Sequence, residues 1–196
     1  MILPIVAYGD PVLRKVGEEL TKDYPDLKKL IADMFETMNA ALGVGIAAPQ
    51  IGKAIRLFIV DTKPFSDRDE EDEEFTPEEL ELLKEFKQVF INAKIVKEEG
   101  EEWPFNEGCL SIPKIREDVL RKPQIRIKYV DENFVAHDET YDGLIARVIQ
   151  HEYDHIEGKL FTDKVSPLRR RLLQGKLSDI SKGKVKVTYK MRFPNK

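Results

Sequence analysis

The chain has 196 residues, of which 41% are hydrophobic and 35% are charged, and its formal net charge at pH 7 is −4. This length and apolar content allow one sizeable core or two small ones, so we expect a single α+β domain spanning residues 1–196. Because no run of eighteen apolar residues occurs and the first residues lack a basic leader and a small-residue cleavage site, we expect a cytoplasmic protein without a membrane partner.

Helix and strand patterns follow one another through the first two thirds of the chain. Helical spacing of apolar residues predicts a first helix over residues 25–41, which Gly43 and Gly45 end. Three short segments rich in β-branched residues predict strands at 55–61, 89–96 and 124–131. Residues 133–141 are expected to pair back on the third of these strands as a hairpin.

The last third of the chain is mainly helical in its pattern. A second helix fits residues 142–157 and ends at Gly158, and a third fits residues 166–179 with Ser-Pro at its start. The closing sequence VKVTYKM, residues 185–191, alternates like a strand. These elements predict short antiparallel or mixed sheets around a central helix, with a basic C-terminal helix and a possible final strand.

Charge is unevenly distributed along the chain. Residues 64–87 carry eleven acidic and three basic side chains, which is typical of a solvated insertion within a domain, with a short helix after Thr76-Pro77. Residues 164–196 reverse the balance, with eleven basic side chains against Asp179 alone. Such a basic extension either improves solubility or attracts phosphate backbones, so RNA or a ribosome is a plausible neighbour.

The predicted central helix contains the sequence QHEYDH. His151 and His155 are four residues apart and therefore project from one face of a helix, where two imidazoles can grip one metal ion. Glu152 lies at the edge of that face and could take a proton from a water molecule. The alternative interpretation is that the two histidines and the glutamate lie on an ordinary amphipathic helix that binds no metal. A longer zinc protease pattern fails because Phe161 stands where a third histidine is required.

A metal site needs a third protein ligand. The remaining histidine, His137, falls in a predicted strand and is interpreted as an exposed strand residue. Cys109, the single cysteine, is a buried filler, a nucleophile or a ligand. Within NEGCLSIP, where Gly108 permits a tight turn, its thiolate could complete a set with His151 and His155 and leave a fourth position for water. The central helix would then be a metal-binding helix.

A glycine-bearing loop, GVGIAAPQIG, covers residues 43–52. It could be a phosphate loop, although a third glycine opening a helix is missing, or a plain tight turn after the first helix. A functional interpretation is that the glycines allow close backbone approach to an extended, peptide-like ligand. Gln50 would then supply a side-chain amide that stabilises a developing oxyanion.

The pieces GVGIAAPQ, EGCLS and QHEYDH, in this order, resemble the three motifs of the peptide deformylases. The opening YGDPVLRKVGEEL is also similar to the family's amino terminus, so the resemblance covers residues 5–167. It implies a single catalytic domain that removes the N-formyl group from the N-terminal formylmethionine of new polypeptides and releases formate. A metallopeptidase and a non-catalytic, metal-stabilised ribosome-binding module remain as alternatives.

The resemblance also implies roles for individual residues. Glu152 becomes the general acid and base, and Gln50 with the backbone N–H of Leu110 forms an oxyanion hole. The implied metal ligands are Cys109, His151 and His155. The implied substrate-binding residues, several of which could equally be ordinary core, are Val44, Gly45, Phe105, Arg116, Leu144 and Val148.

The cofactor implied is one divalent metal ion per chain. We expect Fe(II) in cells, with Zn, Ni or Co as replacements, because a thiolate and two imidazoles accommodate all of them. The implied partners are nascent polypeptide N-termini and, through the basic segment 164–196, the ribosome. The sequence leaves the oligomeric state open.

Overall fold

Helices and strands alternate through residues 1–67 and 75–194, which the computed structural model describes. The helices are α1 (Leu27–Ala40), α2 (Lys63–Ser66), α3 (Pro77–Glu85), α4 (Gly143–Ile156) and α5 (Pro167–Ser181). The strands are β1 (Ile5–Val6), β2 (Gly45–Ala47), β3 (Leu57–Asp61), β4 (Lys87–Glu99), β5 (Trp103–Cys109), β6 (Ile112–Arg121), β7 (Gln124–Val130), β8 (Ala136–Asp142) and β9 (Met191–Arg192). Short 3-10 turns cover Pro11–Arg14, Ala48–Ile51 and Phe161–Asp163.

The strands form three sheets. The largest has the order β2-β3-β4-β7-β8 and is antiparallel throughout. Strands β5 and β6 form a separate antiparallel hairpin, and β1 pairs with β9 in parallel, which joins the two ends of the described chain. The α+β class predicted from the sequence is confirmed by this arrangement.

The five-stranded sheet separates α1 from α4. Phe58 and Val60 of β3 pack in the apolar cluster that contains α4, whereas Leu57 and Ile59 pack in the cluster that contains α1. Side chains alternate between the faces of a strand, so burial on both faces requires a continuous apolar sequence. This explains why LFIVD reads as an uninterrupted apolar run before its final aspartate.

Helix α4 lies between the large sheet and the β5–β6 hairpin. Its apolar residues face the sheet, and the guanidinium of Arg147 donates to the carbonyl oxygens of Val119 in β6 and Trp103 in β5. A third apolar cluster joins β6 to α5 through residues such as Val119 and Leu173. The hairpin is thereby fixed on both sides, which matters because β5 ends at Cys109.

Most predicted elements are present with small changes in their ends. Gly158 adopts a left-handed φ of 70° just beyond α4, and a Cβ there would lie 2.6 Å from the carbonyl oxygen of Arg14. The hydroxyl of Ser166 accepts from the Arg169 N–H at the start of α5, as the Ser-Pro signal predicts. Residues 133–141 form the expected hairpin, as β8 against β7.

The possible final strand is present, but it is short and lies later than the alternation suggests, as β9 (Met191–Arg192). Of residues 185–191 only Met191 is in a strand, and the residues before it form bends and irregular backbone. Val185, Val187 and Tyr189 are nevertheless half-buried, while the residues between them are exposed. The alternation in the sequence therefore records which side chains are buried, not a backbone pairing.

The acidic segment 64–87 follows β3 and ends at Lys87, the first residue of β4. Thr76 and Glu79 form a capping box at the start of α3, which confirms the predicted short helix. Residues 68–74 of the segment lie outside the described residues. Within the described ranges, no helix is long and apolar enough to cross a membrane.

Candidate metal centre and active site

The structure brings the single cysteine and two histidines together. Cys109 ends β5, and His151 and His155 project from one face of α4. One ligand atom from each of the three residues lies within 4.8 Å of the others. The Cys109 Sγ lies 3.3 Å from the Nε2 of His155.

The chemistry of this group suits a divalent ion. A thiolate and two neutral imidazoles are the donors that bind Zn and other transition metals. Burial lowers the pKa of His155 well below its ordinary value, so its ring stays neutral. Burial also opposes protonation of His151, but hydrogen bonds with Cys109 and Glu107 outweigh it and raise its pKa. Binding of an ion would therefore displace a proton from this group.

A buried carboxylate orients His151. The Nδ1 of His151 lies 2.9 Å from Glu107 Oε2, which leaves its Nε2 for an ion. Arg121 binds both oxygens of Glu107, at 2.7 and 3.0 Å, and Arg147 lies 3.1 Å from Oε1. Burial would raise the pKa of Glu107, but the hydrogen bonds from His151 and Arg121 prevail and lower it. Glu107 is therefore ionised.

Arg121 also links the hairpin to α4, the helix that carries both histidines. Arg121 Nη1 lies 2.7 Å from Asp154 Oδ2, and Asp154 follows His151 by almost one turn of α4. Arg121 and Glu107 have side chains that are 3% and 4% exposed. Ion pairs buried to this extent hold their geometry because breaking them leaves an unpaired charge in the interior.

Glu152 is buried beside the cysteine and histidines in the same cavity. Its Oε2 has no hydrogen-bond partner among the described residues, and burial raises the pKa of its carboxyl to about 7. Such a group can accept and donate a proton near neutral pH. A Cβ at Gly45 would lie 2.6 Å from Glu152 Oε1, so only glycine at this position leaves room for the carboxylate.

Gln50 directs its amide nitrogen toward the cysteine. The Ala47 N–H donates to Gln50 Oε1 at 2.8 Å, which turns Nε2 the other way. That Nε2 lies 3.4 Å from both Cys109 Sγ and Ser111 Oγ. Leu110 follows the cysteine, and its side chain would lie only 2.9 Å from a Cβ at Gly43. The glycine loop and the EGCLS turn are therefore closely packed.

These residues surround a cavity of about 650 Å³. Five of the six predicted substrate-binding residues line it, namely Val44, Gly45, Phe105, Arg116 and Val148. Leu144 does not line this cavity and is buried in the apolar cluster that also contains Val148. The segment Lys186–Tyr189, which no motif or spacing predicted to lie here, forms another part of its lining.

Gly108 and His137 differ from their sequence-based interpretations. Gly108 does not adopt a left-handed turn; a Cβ there would lie 2.8 Å from Arg116 Nη1, so the glycine leaves space for that guanidinium. Arg116 in turn donates to the side chain and the backbone carbonyl of Asn106. His137 lies in β8 as predicted but is half-buried, with Asp131 and Glu139 as partners.

Sequence reasoning missed several polar residues of the site, namely Glu107, Ser111, Arg121, Arg147 and Asp154. Glu107 and Ser111 belong to the motif EGCLS, and Asp154 belongs to QHEYDH. Their proximity in sequence to the candidate ligands could have indicated that they contact those ligands. The two arginines had no such signal, because each comes from an element whose position is known only in the fold.

Comparison with known proteins gives one consistent result. The family model described as polypeptide deformylase matches residues 2–171. The peptide deformylase of Flavobacterium johnsoniae is 64% identical over 193 residues, which is 98% of this chain and 96% of that protein. The peptide deformylase of Christiangramia forsetii is 60% identical over 195 residues, covering 100% of this chain and 97% of that protein.

Solved structures that resemble this fold are also peptide deformylases. A peptide deformylase from Thermus thermophilus superposes with a TM-score of 0.78 at 36% identity, covering 93% of this chain and 99% of that one. A peptide deformylase from Legionella pneumophila gives a TM-score of 0.77 at 35% identity, covering 94% and 98%. The chain therefore belongs to the peptide deformylase family, enzymes that remove the N-formyl group from the N-terminal formylmethionine of polypeptides.

Proposed function

We propose that the cavity beside Cys109 binds the formylated end of a nascent polypeptide and that Glu152 carries the proton transfers of its hydrolysis. The observation that supports this most strongly is the buried, unpartnered Oε2 of Glu152 in the same cavity as the Cys–His–His group, among the residues that the structure describes. An unpaired carboxylate oxygen in the interior is costly, so it indicates a group kept for chemistry.

Peptide deformylases use a divalent metal ion, and Cys109, His151 and His155 would hold it here. Such an ion lowers the pKa of a coordinated water molecule and polarises a carbonyl group. We propose Fe(II) as the ion in cells, with Zn, Ni or Co as replacements, because the donor set accepts each and availability decides among them. Anaerobic purification followed by metal analysis and a formate-release assay tests this assignment.

Glu152 would act twice in the reaction. It accepts a proton from water as the oxygen attacks the formyl carbon, and it delivers that proton to the amine nitrogen as the carbon–nitrogen bond breaks. The products are formate and a free amino-terminal methionine. The buried position of Glu152 suits both steps, because a carboxyl with a raised pKa exchanges its proton readily near neutral pH.

Gln50 and Leu110 would stabilise the oxyanion of the tetrahedral intermediate. The Ala47 N–H fixes the carbonyl end of the Gln50 amide, so its NH2 group is aimed at the cavity before substrate binds. Donors that are already oriented need no reorganisation in the transition state, and each is worth on the order of 100-fold in kcat. The backbone N–H of Leu110 would be the second donor.

Apolar walls would select the methionine side chain. Val44, Phe105 and Val148 line the cavity, and flexible thioether side chains fit such irregular apolar space. Leu144 would support this wall from the core. Arg116, which also lines the cavity, would lie near the outer substrate backbone and Gly45 near the inner one.

The test is replacement of Glu152. We expect Glu152→Ala to retain its metal and to lose nearly all release of formate from a formylated methionyl peptide. Glu152→Gln, which keeps the shape of the side chain, should behave in the same way. Activity within about tenfold of the wild type would remove Glu152 from the mechanism, since general acid–base catalysis contributes at least about 100-fold. Cleavage at an internal peptide bond would instead indicate a metallopeptidase.

We also propose that residues 1–196 form one catalytic domain and that the protein acts in the cytoplasm, where nascent chains emerge. We further propose that its basic C-terminal segment, residues 164–196, contacts the ribosome. Arg171, Lys176 and Lys182 are exposed, with no ion pair to another described residue. We expect the triple change of these residues to glutamine to weaken co-sedimentation with ribosomes. A matched triple change of exposed lysines elsewhere, at Lys22, Lys28 and Lys94, should not; equal effects would contradict the contact.

A further inference from the structure

The segment that follows α5 closes one side of the active-site cavity. Gly183, with a left-handed φ of 70°, ends the helix, and Lys186–Tyr189 then line the cavity that also contains Cys109 and Glu152. The segment continues into β9, whose pairing with β1 fixes its far end. All of it lies outside residues 2–171, the part of the chain that the family model matches.

Tyr189 makes a specific contact from this segment. Its hydroxyl donates to the backbone carbonyl oxygen of Leu110 at 2.7 Å. Its ring packs against the apolar cluster of α1 and β3, against which Leu110 also packs. A half-buried tyrosine with a satisfied hydroxyl holds both its ring and its hydrogen-bond partner in place.

The backbone carbonyl of Ser111, the residue after Leu110, accepts a hydrogen bond from a residue near the start of the chain. The Tyr8 N–H donates to the Ser111 carbonyl oxygen at 2.8 Å. Tyr8 follows β1 closely and Tyr189 precedes β9, and these two strands pair with each other. The two chain ends therefore hold the adjacent carbonyls of Leu110 and Ser111, directly beside the metal-ligating position Cys109.

We propose that Tyr189 is a positioning residue for deformylation, acting through the turn that carries Cys109 and Leu110. This inference rests on the proposed role of the Leu110 N–H as an oxyanion donor. The Leu110 N–H stabilises the oxyanion only while it points at the developing charge. The hydrogen bond from Tyr189 to the Leu110 carbonyl limits rotation of this turn and so keeps the N–H oriented. Without the tyrosine hydroxyl, the turn samples orientations in which the Leu110 N–H no longer faces the substrate.

The experiment compares Tyr189→Phe with a matched control, Tyr24→Phe. Tyr24 packs against the same apolar cluster, and no hydrogen bond of its hydroxyl to another described residue is present. Since one neutral hydrogen bond is worth about 0.5–1.5 kcal/mol, we expect Tyr189→Phe to lower kcat about three- to tenfold. KM and metal content should remain those of the wild type, and the thermal midpoint should fall by no more than about 6 °C, because one hydrogen bond is lost. Tyr24→Phe should change none of these values.

Amide hydrogen exchange supplies a readout independent of turnover. We expect faster exchange in the peptide that contains residues 109–112 in Tyr189→Phe, and no change in Tyr24→Phe. A wild-type kcat for Tyr189→Phe, or a raised KM with an unchanged kcat, would overturn the inference. If the wild-type protein releases no formate, the proposed function fails instead, and the exchange experiment still decides whether Tyr189 orders the turn.

Discussion

The Nδ1 of His151 and the Oε2 of Glu107 are 2.9 Å apart, with both side chains buried or nearly so. The carboxylate fixes which imidazole nitrogen carries the proton and raises the basicity of the other nitrogen. Because Arg121 and Arg147 hold Glu107 from the opposite side, the orientation of His151 depends on charges contributed by β6 and by its own helix. The geometry of the candidate metal-binding group is thus set by residues that contact His151 and are not themselves candidate ligands.

Replacing Glu107 tests this dependence. We expect Glu107→Gln to lower metal affinity about 10- to 100-fold, because the charge that orients His151 is lost. Competition with a metal-binding dye, measured well below the thermal midpoint, gives the affinity. Glu117→Gln is the matched control, since Glu117 lies in the same strand β6 and is buried, but pairs with Arg169 of α5 and not with His151. Equal losses of affinity in both variants would contradict a specific role for Glu107.

The sequence predicted the helices and the central strands because their apolar residues follow the period of the element. The β5–β6 hairpin was missed because its inward-facing positions include charged residues. Glu107, Glu117 and Arg121 are buried and satisfied by ion pairs, while Leu120 is 55% exposed. The alternation of apolar and polar residues that identifies a strand is therefore absent from residues 112–121, although the alternation of burial is present.

Residues of the candidate site that lie close together in the sequence were predicted from their spacing, whereas those that only the fold brings together were not. His151, Glu152 and His155 share one helical turn, so their juxtaposition follows from spacing alone. The position of Gln50 near Cys109 was suggested only by resemblance to a family. Tyr189 offered neither spacing nor motif, because its contact with Leu110 depends on the pairing of β1 with β9 across the length of the chain.

Gly45 is predicted to be intolerant of any side chain. A methyl group there would lie 2.6 Å from Glu152 Oε1, so Gly45→Ala should displace the carboxylate and lower kcat on the order of 100-fold. Gly175→Ala is the matched control: a Cβ there meets nothing within 4 Å, and the site lies in the exposed part of α5. That variant should keep full activity and gain up to about 1 kcal/mol in the free energy of unfolding.

Metal removal should destabilise the protein, because the ligands join the β5–β6 hairpin to α4. An ion present at 100 times its dissociation constant adds about 2.7 kcal/mol to the free energy of unfolding. For a chain of this length that corresponds to roughly 5–10 °C in thermal midpoint. Calorimetry with and without a chelator measures the shift, which should be much smaller in Cys109→Ala. An equal shift in this variant would place the stabilising ion elsewhere.

His137, which does not line the cavity, is expected to make stability depend on pH. A hydrogen bond with Asp131 raises the pKa of His137 despite the opposing effect of burial, and Glu139 adds to the rise. The ring also stacks on Tyr129, whose hydroxyl contacts Glu139 and Tyr141. A raised pKa means that the folded state holds the proton more tightly. The stabilisation is therefore complete below the unfolded pKa of about 6.5 and is lost as pH rises through the folded value.

A double-mutant cycle isolates this effect from other titrating groups. The cycle uses His137→Gln, Asp131→Asn and the double variant, with the free energy of unfolding measured by urea at about pH 5.5 and about pH 8.5, on either side of the histidine pKa. Asp131 also accepts from the N–H groups of Asn133 and Val135, and the cycle removes that contribution. We expect a favourable coupling at the lower pH that declines at the higher one. A coupling that stays constant would mean that the contact does not depend on the charge of His137.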